Sequence, residues 1–130
     1  MKTVFPDTNV IIDLLAGDRS YEDELSSADR ILVTPTIVAE YLAGIRTGKR
    51  DALRRKAFED FLEDPSVAFL PHDRETAARY ASLHQYLRRA GTPLPINDIW
   101  IAASAIQHSA LLLTRDRHFA ALPLLGAVFH

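Results

Sequence analysis

Thr3-Val4-Phe5-Pro6-Asp7-Thr8-Asn9-Val10-Ile11-Ile12-Asp13-Leu14-Leu15 changes its hydrophobic period part-way along. Thr3 to Phe5 is a β-branched and aromatic run closed by Pro6, whereas Val10, Ile11, Leu14 and Leu15 fall at helical spacing. Asp7, Thr8 and Asn9 lie at the junction, so the segment predicts strand, turn and helix in immediate succession. Proline lacks a backbone donor and is unusual inside a central strand, so the strand is expected to stop one residue early, at Phe5.

The same alternation continues outward. Ser20 to Ala28 reads as a short acidic helix and Arg30 to Val33 as a strand. Pro35 suits the first turn of a third helix carrying Ile37, Val38, Tyr41, Leu42 and Ile45. Lys49 to Glu63 repeats helical spacing, and Val67 to Leu70 is a third strand. Asp73 fits the N-cap of a long helix ending near Gly91, with Thr76 where a capping Glu could sit, which leaves the capping box incomplete. Ile96 to Ala110 is apolar on nearly every side, the mark of a helix buried within the fold. Leu111 to Leu113 is a fourth strand, Thr114 to His118 a loop, and Ala127 to Phe129 a fifth strand. Short strands alternating with helices imply βαβ units and a parallel sheet covered on both faces. The expectation is one α/β domain over residues 1–130, a short parallel sheet of four or five strands flanked by helices.

Composition narrows the chemistry. At 130 residues with 48% hydrophobic and 25% charged side chains, the chain can bury a core without metal or disulfide staples. Five glycines and seven prolines are too few for a low-complexity or fibrous chain. The lack of cysteine removes disulfides, thiolate zinc sites and thiol nucleophiles together, and fits a reducing cytoplasm. No run approaches the roughly 18 apolar residues of a membrane span, and Asp7 comes too early for a signal peptide. Fifteen basic and seventeen acidic side chains give a net charge of −2, so any nucleic-acid contact must rest on local patches.

Ligands of an open parallel sheet bind outside the carboxyl ends of its strands, and acids cluster at those positions here. Asp7 follows the first strand, Asp116 follows the fourth by two residues, Asp98 opens the buried helix, and Glu40 borders the apolar stripe of the third helix. Each has an ordinary explanation. Asp7 and Asp98 suit helix caps, Asp116 a turn, and Glu40 a solvated helix face. Jointly they look like convergence on one cleft. Two carboxylates about 5 Å apart repel by about 3 kcal/mol at an effective dielectric of 20, so four cannot stay ionised together without a cation. Of the chain's own cations, only Arg115 and Arg117 flank the site in sequence. All-oxygen donors without cysteine or an evident histidine pair select a hard divalent ion, Mg2+ or Mn2+, and such an ion invites metal-assisted phosphoryl transfer.

The residues Asp7-Thr8-Asn9-Val10-Ile11-Ile12-Asp13-Leu14-Leu15, Glu40 in an Ala-Glu-Tyr helix, Asn97-Asp98-Ile99-Trp100-Ile101-Ala102-Ala103 and Thr114-Arg115-Asp116-Arg117-His118-Phe119 resemble the PIN-domain ribonucleases. Within that family the chain looks most like the VapC-type toxins of toxin–antitoxin pairs. Any one motif is weak, but four in order across nearly the whole chain are specific. The resemblance implies a three-layer PIN-like fold and a Mg2+- or Mn2+-dependent endoribonuclease, cytoplasmic and usually a homodimer, cutting tRNA or ribosomal RNA. It also implies a cognate antitoxin whose C-terminal segment covers the acidic cleft. By the same resemblance Asp7, Glu40, Asp98 and Asp116 are the catalytic, metal-binding quartet, with Thr8, Asn9 and Thr114 orienting carboxylates or waters.

Other features have plainer readings. Arg46, Lys49, Arg50, Arg54, Arg55 and Lys56 crowd one helix region, either a solvated face or a phosphate track. Arg115, Arg117 and His118, nearest a proposed ligand, are the preferred phosphate contacts. Trp100, Tyr41, Tyr80 and Tyr86 fall on apolar stripes and read as core, Asp13 as a solvated residue, and His118 as structural. A haloacid-dehalogenase-like phosphatase would need an Asp at the place of Asn9 and a lysine beyond Lys56. A receiver-like signalling module could use Asp73 as phosphoacceptor but lacks the same lysine, and a silent binding module stays open.

Overall fold

β1 (Thr3–Pro6) is buried at all four positions because it forms the middle of a sheet. The computed structural model describes residues 1–45, 49–122 and 125–130. β1 pairs in parallel with β2 (Arg30–Val33) on one side and with β4 (Leu111–Thr114) on the other. β3 (Val67–Phe69) extends the sheet beyond β2 and β5 (Ala127–Phe129) extends it beyond β4, both in parallel. The order β3-β2-β1-β4-β5 gives five strands, the upper of the two expected counts.

Pro6 is not the break that its chemistry suggests. It is the last residue of β1 and stands in register with Leu113. Residues alternate sides along a parallel strand, and the Asp7 amide donates to the Leu113 carbonyl at 2.9 Å, so the missing proline donor falls on the opposite side, toward β2. The register with β2 runs only through Thr3/Arg30 and Val4/Ile31, so proline costs no ladder bond there.

The helices are α1 (Thr8–Leu15), α2 (Glu22–Ser26), α3 (Pro35–Ala43), α4 (Lys49–Leu62), α5 (Arg74–Ala90) and α6 (Ile96–Gln107), with a 3-10 turn at Arg117–Ala121. α2 is shorter than expected because Ser20 belongs to a turn, its amide and hydroxyl both donating to the Asp18 carboxylate. The capping box of α5 is complete after all. Asp73 accepts from the Thr76 amide at 3.0 Å, and the Thr76 hydroxyl accepts from the Asp73 amide at 3.0 Å, doing what a Glu carboxylate would do. α6 stops before Ala110 because Ser109 turns left-handed (φ 50°), and Ala110 and Ser109 then bond back to the Ala105 and Ile106 carbonyls. Thr114 belongs to β4 rather than to the loop after it.

The two-residue period of the strands sorts the core into two sides. Val4, Ile31 and Leu113 pack with Val10 and Tyr21. Phe5, Leu32 and Leu112 pack with Ile37, Ile99, Ile101, Ala102 and Phe119. α6 buries six residues, Ile99, Ile101, Ala102, Ala103, Ser104 and Ala105, as its sequence requires. Burial of that helix fixes where its first turn lies, at the carboxyl ends of β1 and β4.

Candidate active site

Asp7, Glu40, Asp98 and Asp116 all reach one cavity of about 360 Å³, lined also by Thr8, Asn9, Ile12, Gly44 and Arg115. Asp7 comes from the end of β1, Glu40 from α3, Asp98 from the first turn of α6 and Asp116 from the turn after β4. Four separate elements thus contribute one carboxylate each. Among the described residues the acids line the pocket without closing into a ready-made cage of three.

Asp7 is both a cap and a member of the pocket. Its Oδ1 accepts from the Thr8 amide at 2.8 Å and its Oδ2 from the Thr114 hydroxyl at 2.9 Å. Thr114 Oγ1 in turn accepts from the Asp116 amide at 3.0 Å, so one hydroxyl lies between two of the acids. Burial raises the Asp7 carboxyl above its ordinary range; the Thr114 and Thr8 donors oppose that, and repulsion from Glu40 and Asp116 adds to it. Glu40 is not a solvated helix residue. It accepts from the Thr8 hydroxyl at 2.7 Å and from the Asn97 amide nitrogen at 3.3 Å. Asp116 caps the 3-10 turn through the His118 amide at 2.9 Å, and the His118 ring Nδ1 lies 3.0 Å from the same oxygen.

Asp98 departs from the capping expectation. Pro95 occupies the cap position of α6, and Asp98 sits inside the first turn with its carboxyl facing the pocket. No hydrogen bond ties that carboxyl among the described residues. Burial, followed by Asp7, Asp116 and Glu40 in that order, pushes it up to about 6, while His118 acts the other way. The field of the other three acids therefore converges on Asp98.

Thr8 and Thr114 orient acids directly, as the resemblance implied, whereas Asn9 lines the pocket without a recorded bond to them. Asn97, which the sequence offered no reason to separate from its neighbour Asp98, also holds Glu40. Arg115 does not reach for the acids or stand free for phosphate. Its guanidinium donates to Asp13 Oδ2 at 2.8 Å and to Asp18 Oδ2 at 2.9 Å, so Asp13 is ion-paired rather than merely solvated. Arg117 lies over the Phe129 ring, 5.4 Å from its centre.

A larger, mostly apolar groove of about 450 Å³ adjoins the acid pocket, sharing Ile12 and Gly44, with Arg50 and Arg54 on its wall. Arg46 and the Lys49 side chain, from the proposed cationic track, lie outside the described residues. Lys56 pairs with Asp60 along its own helix. Trp100 is packed as expected, its ring stacked between His72 and Tyr80 at 5.0 and 4.4 Å, but Tyr86 is exposed rather than core. Asp73, the acceptor that a receiver-like module would use, is bonded instead to Thr76 and Gln107.

Known proteins match this arrangement along nearly its full length. The family model of the PIN domain matches residues 4–124. Ribonuclease VapC5 of Mycobacterium tuberculosis is 31% identical over 116 residues, spanning 89% of this chain and 84% of that protein. The crystal structure of VapBC-5 from the same organism, a member of the VapBC family of toxin–antitoxin systems, has a chain that superposes with a TM-score of 0.78 at 28% identity, covering 100% of both chains. VapBC2 of Rickettsia felis, solved bound to a promoter DNA fragment, shares the fold, with a TM-score of 0.86 at 21% identity over 98% of each chain. A parallel sheet in this strand order, with an acid just beyond β1 and another just beyond β4, is thus accompanied by a family match over nearly all of the sequence, and the chain belongs to the PIN domain family.

Proposed function

We propose that this chain is an endoribonuclease dependent on a divalent metal ion, Mg2+ or Mn2+, with Asp7, Glu40, Asp98 and Asp116 as the ion's protein ligands, and that it is the toxin of a toxin–antitoxin pair. One observation carries the reading: carboxylates from four elements line one cavity, and among the described residues none of the four is paired with a lysine or arginine. The donor set fits a hard ion. It is all oxygen, two of its members are held in position by threonine hydroxyls, and the Asp98 carboxyl is pushed up to about 6 by burial and then by its three acidic neighbours. A cation relieves that repulsion, which a neutral ligand does not.

When bound, such an ion supplies the charge neutralisation and water activation that phosphodiester hydrolysis needs. The chain supplies the geometry. Thr114 and the Thr8 amide fix both oxygens of Asp7, and Thr8 and Asn97 fix both oxygens of Glu40. Asp98 would offer its carboxylate to the ion most fully above about pH 6, where it is ionised. RNA as substrate, of the tRNA or ribosomal class, follows from kinship with a ribonuclease, and a cognate antitoxin from kinship with VapBC complexes. A cytoplasmic homodimer is the state the family resemblance supports.

Purified protein should cut RNA with Mg2+ or Mn2+ and lose the activity in chelator, and Asp98→Asn should abolish cutting while circular dichroism stays unchanged. Equal cleavage by Asp98→Asn, or in chelator, contradicts the assignment.

A further inference from the structure

Among the described residues Arg115 is the one arginine that lines the acid pocket, and it follows β4 immediately before Asp116. Left to electrostatics alone, a guanidinium on a long side chain beside four carboxylates would pair with them. It does not. Its two terminal nitrogens are taken by Asp13, in the last turn of α1, and Asp18, just beyond that helix, at 2.8 and 2.9 Å.

The holding pair is built rather than incidental. The Asp18 amide donates to the Asp13 carbonyl at 2.9 Å, and the chain reverses at Gly17 (φ 101°), a conformation that side chains other than glycine rarely adopt. Ser20 donates its amide and hydroxyl to the two oxygens of Asp18, fixing the carboxylate that faces Arg115. The guanidinium carbon lies 5.5 Å from the centre of the Tyr21 ring. Tyr21 is buried, and its hydroxyl donates to the Thr114 carbonyl at 2.7 Å, at the base of the same turn. Two carboxylates, an aromatic face and a fixed backbone thus define one resting position for Arg115.

We propose that Asp13 and Asp18 are positioning residues that hold the Arg115 guanidinium outside the acid pocket, so that the chain's own cation does not occupy the place of the divalent ion. The inference rests on the reading of Asp7, Glu40, Asp98 and Asp116 as ion ligands. With the holding pair removed, Arg115 still lines the cavity that the four acids share, and they are the carboxylates there left to attract it. A guanidinium that spends nine-tenths of its time among them weakens apparent ion affinity about tenfold, because only the vacated fraction binds.

Mn2+ binding is followed by the loss of the free-ion electron paramagnetic resonance signal, independently of RNA cleavage. The proteins compared are the unaltered chain, Asp98→Asn, Asp18→Asn, Asp13→Asn/Asp18→Asn, and the latter double variant with Arg115→Gln added. The expected result is binding by the unaltered chain that Asp98→Asn weakens. Asp18→Asn should lose part of that affinity, the double variant about tenfold, and Arg115→Gln should restore it. Restoration by deleting a side chain is not what a merely structural role produces, and Asp18→Asn alone provides the comparison should the double variant fold poorly. Unchanged affinity in the Asp18 and double variants, or a loss that Arg115→Gln does not restore, overturns the inference and leaves the metal site standing. Absence of binding by the unaltered chain, or binding indifferent to Asp98→Asn, overturns the metal reading and the inference with it.

Discussion

The Thr114 hydroxyl donates to Asp7 Oδ2 at 2.9 Å, joining residues 107 apart in sequence, and accepts from the Asp116 amide at 3.0 Å. One oxygen therefore sets the spacing between an acid at the end of β1 and an acid beyond β4. Thr114→Val keeps the shape of the side chain and removes both bonds. RNA cleavage should fall about 10- to 100-fold, as for other groups that orient metal ligands, with a higher Mg2+ concentration needed for half-maximal rate. Cleavage at the unaltered rate would show that Asp7 needs no such support.

Asp98 makes stability depend on pH in a direction opposite to an ordinary ion-paired carboxylate. Its folded value, about 6, lies above its ordinary 3.8, so between these values the unfolded chain releases the proton first. The contribution to stability is full below about pH 4 and is lost as pH rises through about 6. For a half-exposed carboxyl, solvent screening leaves about 1 kcal/mol of the effect. Asp98→Asn should therefore raise the melting temperature of metal-free protein at pH 7 by a few degrees, about 2–6 °C, and change it little at pH 4. Thermal melts across that range check both ends.

Ion binding at the same site displaces a proton. Mg2+ affinity should fall about tenfold per pH unit below about pH 6 and level off above it. Calorimetric titrations in buffers of different ionisation heat report the proton directly.

The α5 cap offers a control distant from the chemistry. Asp73→Ala removes an acceptor shared by Thr76 and Gln107 and should cost about 1 kcal/mol in urea denaturation. RNA cleavage should be unchanged, since Asp73 does not line the acid pocket.

The strands were legible from local pattern, and the four acids from their joint placement together with the family resemblance. Short apolar and β-branched runs marked the strands, and Asp7 and Asp116, falling just after two of them, could be assigned to the carboxyl edge of a parallel sheet without coordinates. What escaped was decided by neighbours in space. Pro6 looked like a break until the order of strands placed its missing donor on the β2 side. Thr76 looked inadequate as a capping partner, although a hydroxyl at that distance serves. Asp98 looked like a cap, whereas Pro95 takes that position and leaves the carboxyl to the pocket. Arg115 and its partners Asp13 and Asp18 are about a hundred residues apart, and no periodicity predicts that meeting. Asn97 was hidden for a different reason, standing beside a more conspicuous neighbour.

Anomalous diffraction from crystals soaked in Mn2+ at neutral pH tests the central assignment most directly. The account predicts a peak inside the cavity bounded by Asp7, Glu40, Asp98 and Asp116, with carboxylate oxygens at about 2.0–2.3 Å and Arg115 still on Asp13 and Asp18. A peak elsewhere, or an Arg115 guanidinium seated among those four acids at saturating Mn2+, would contradict it.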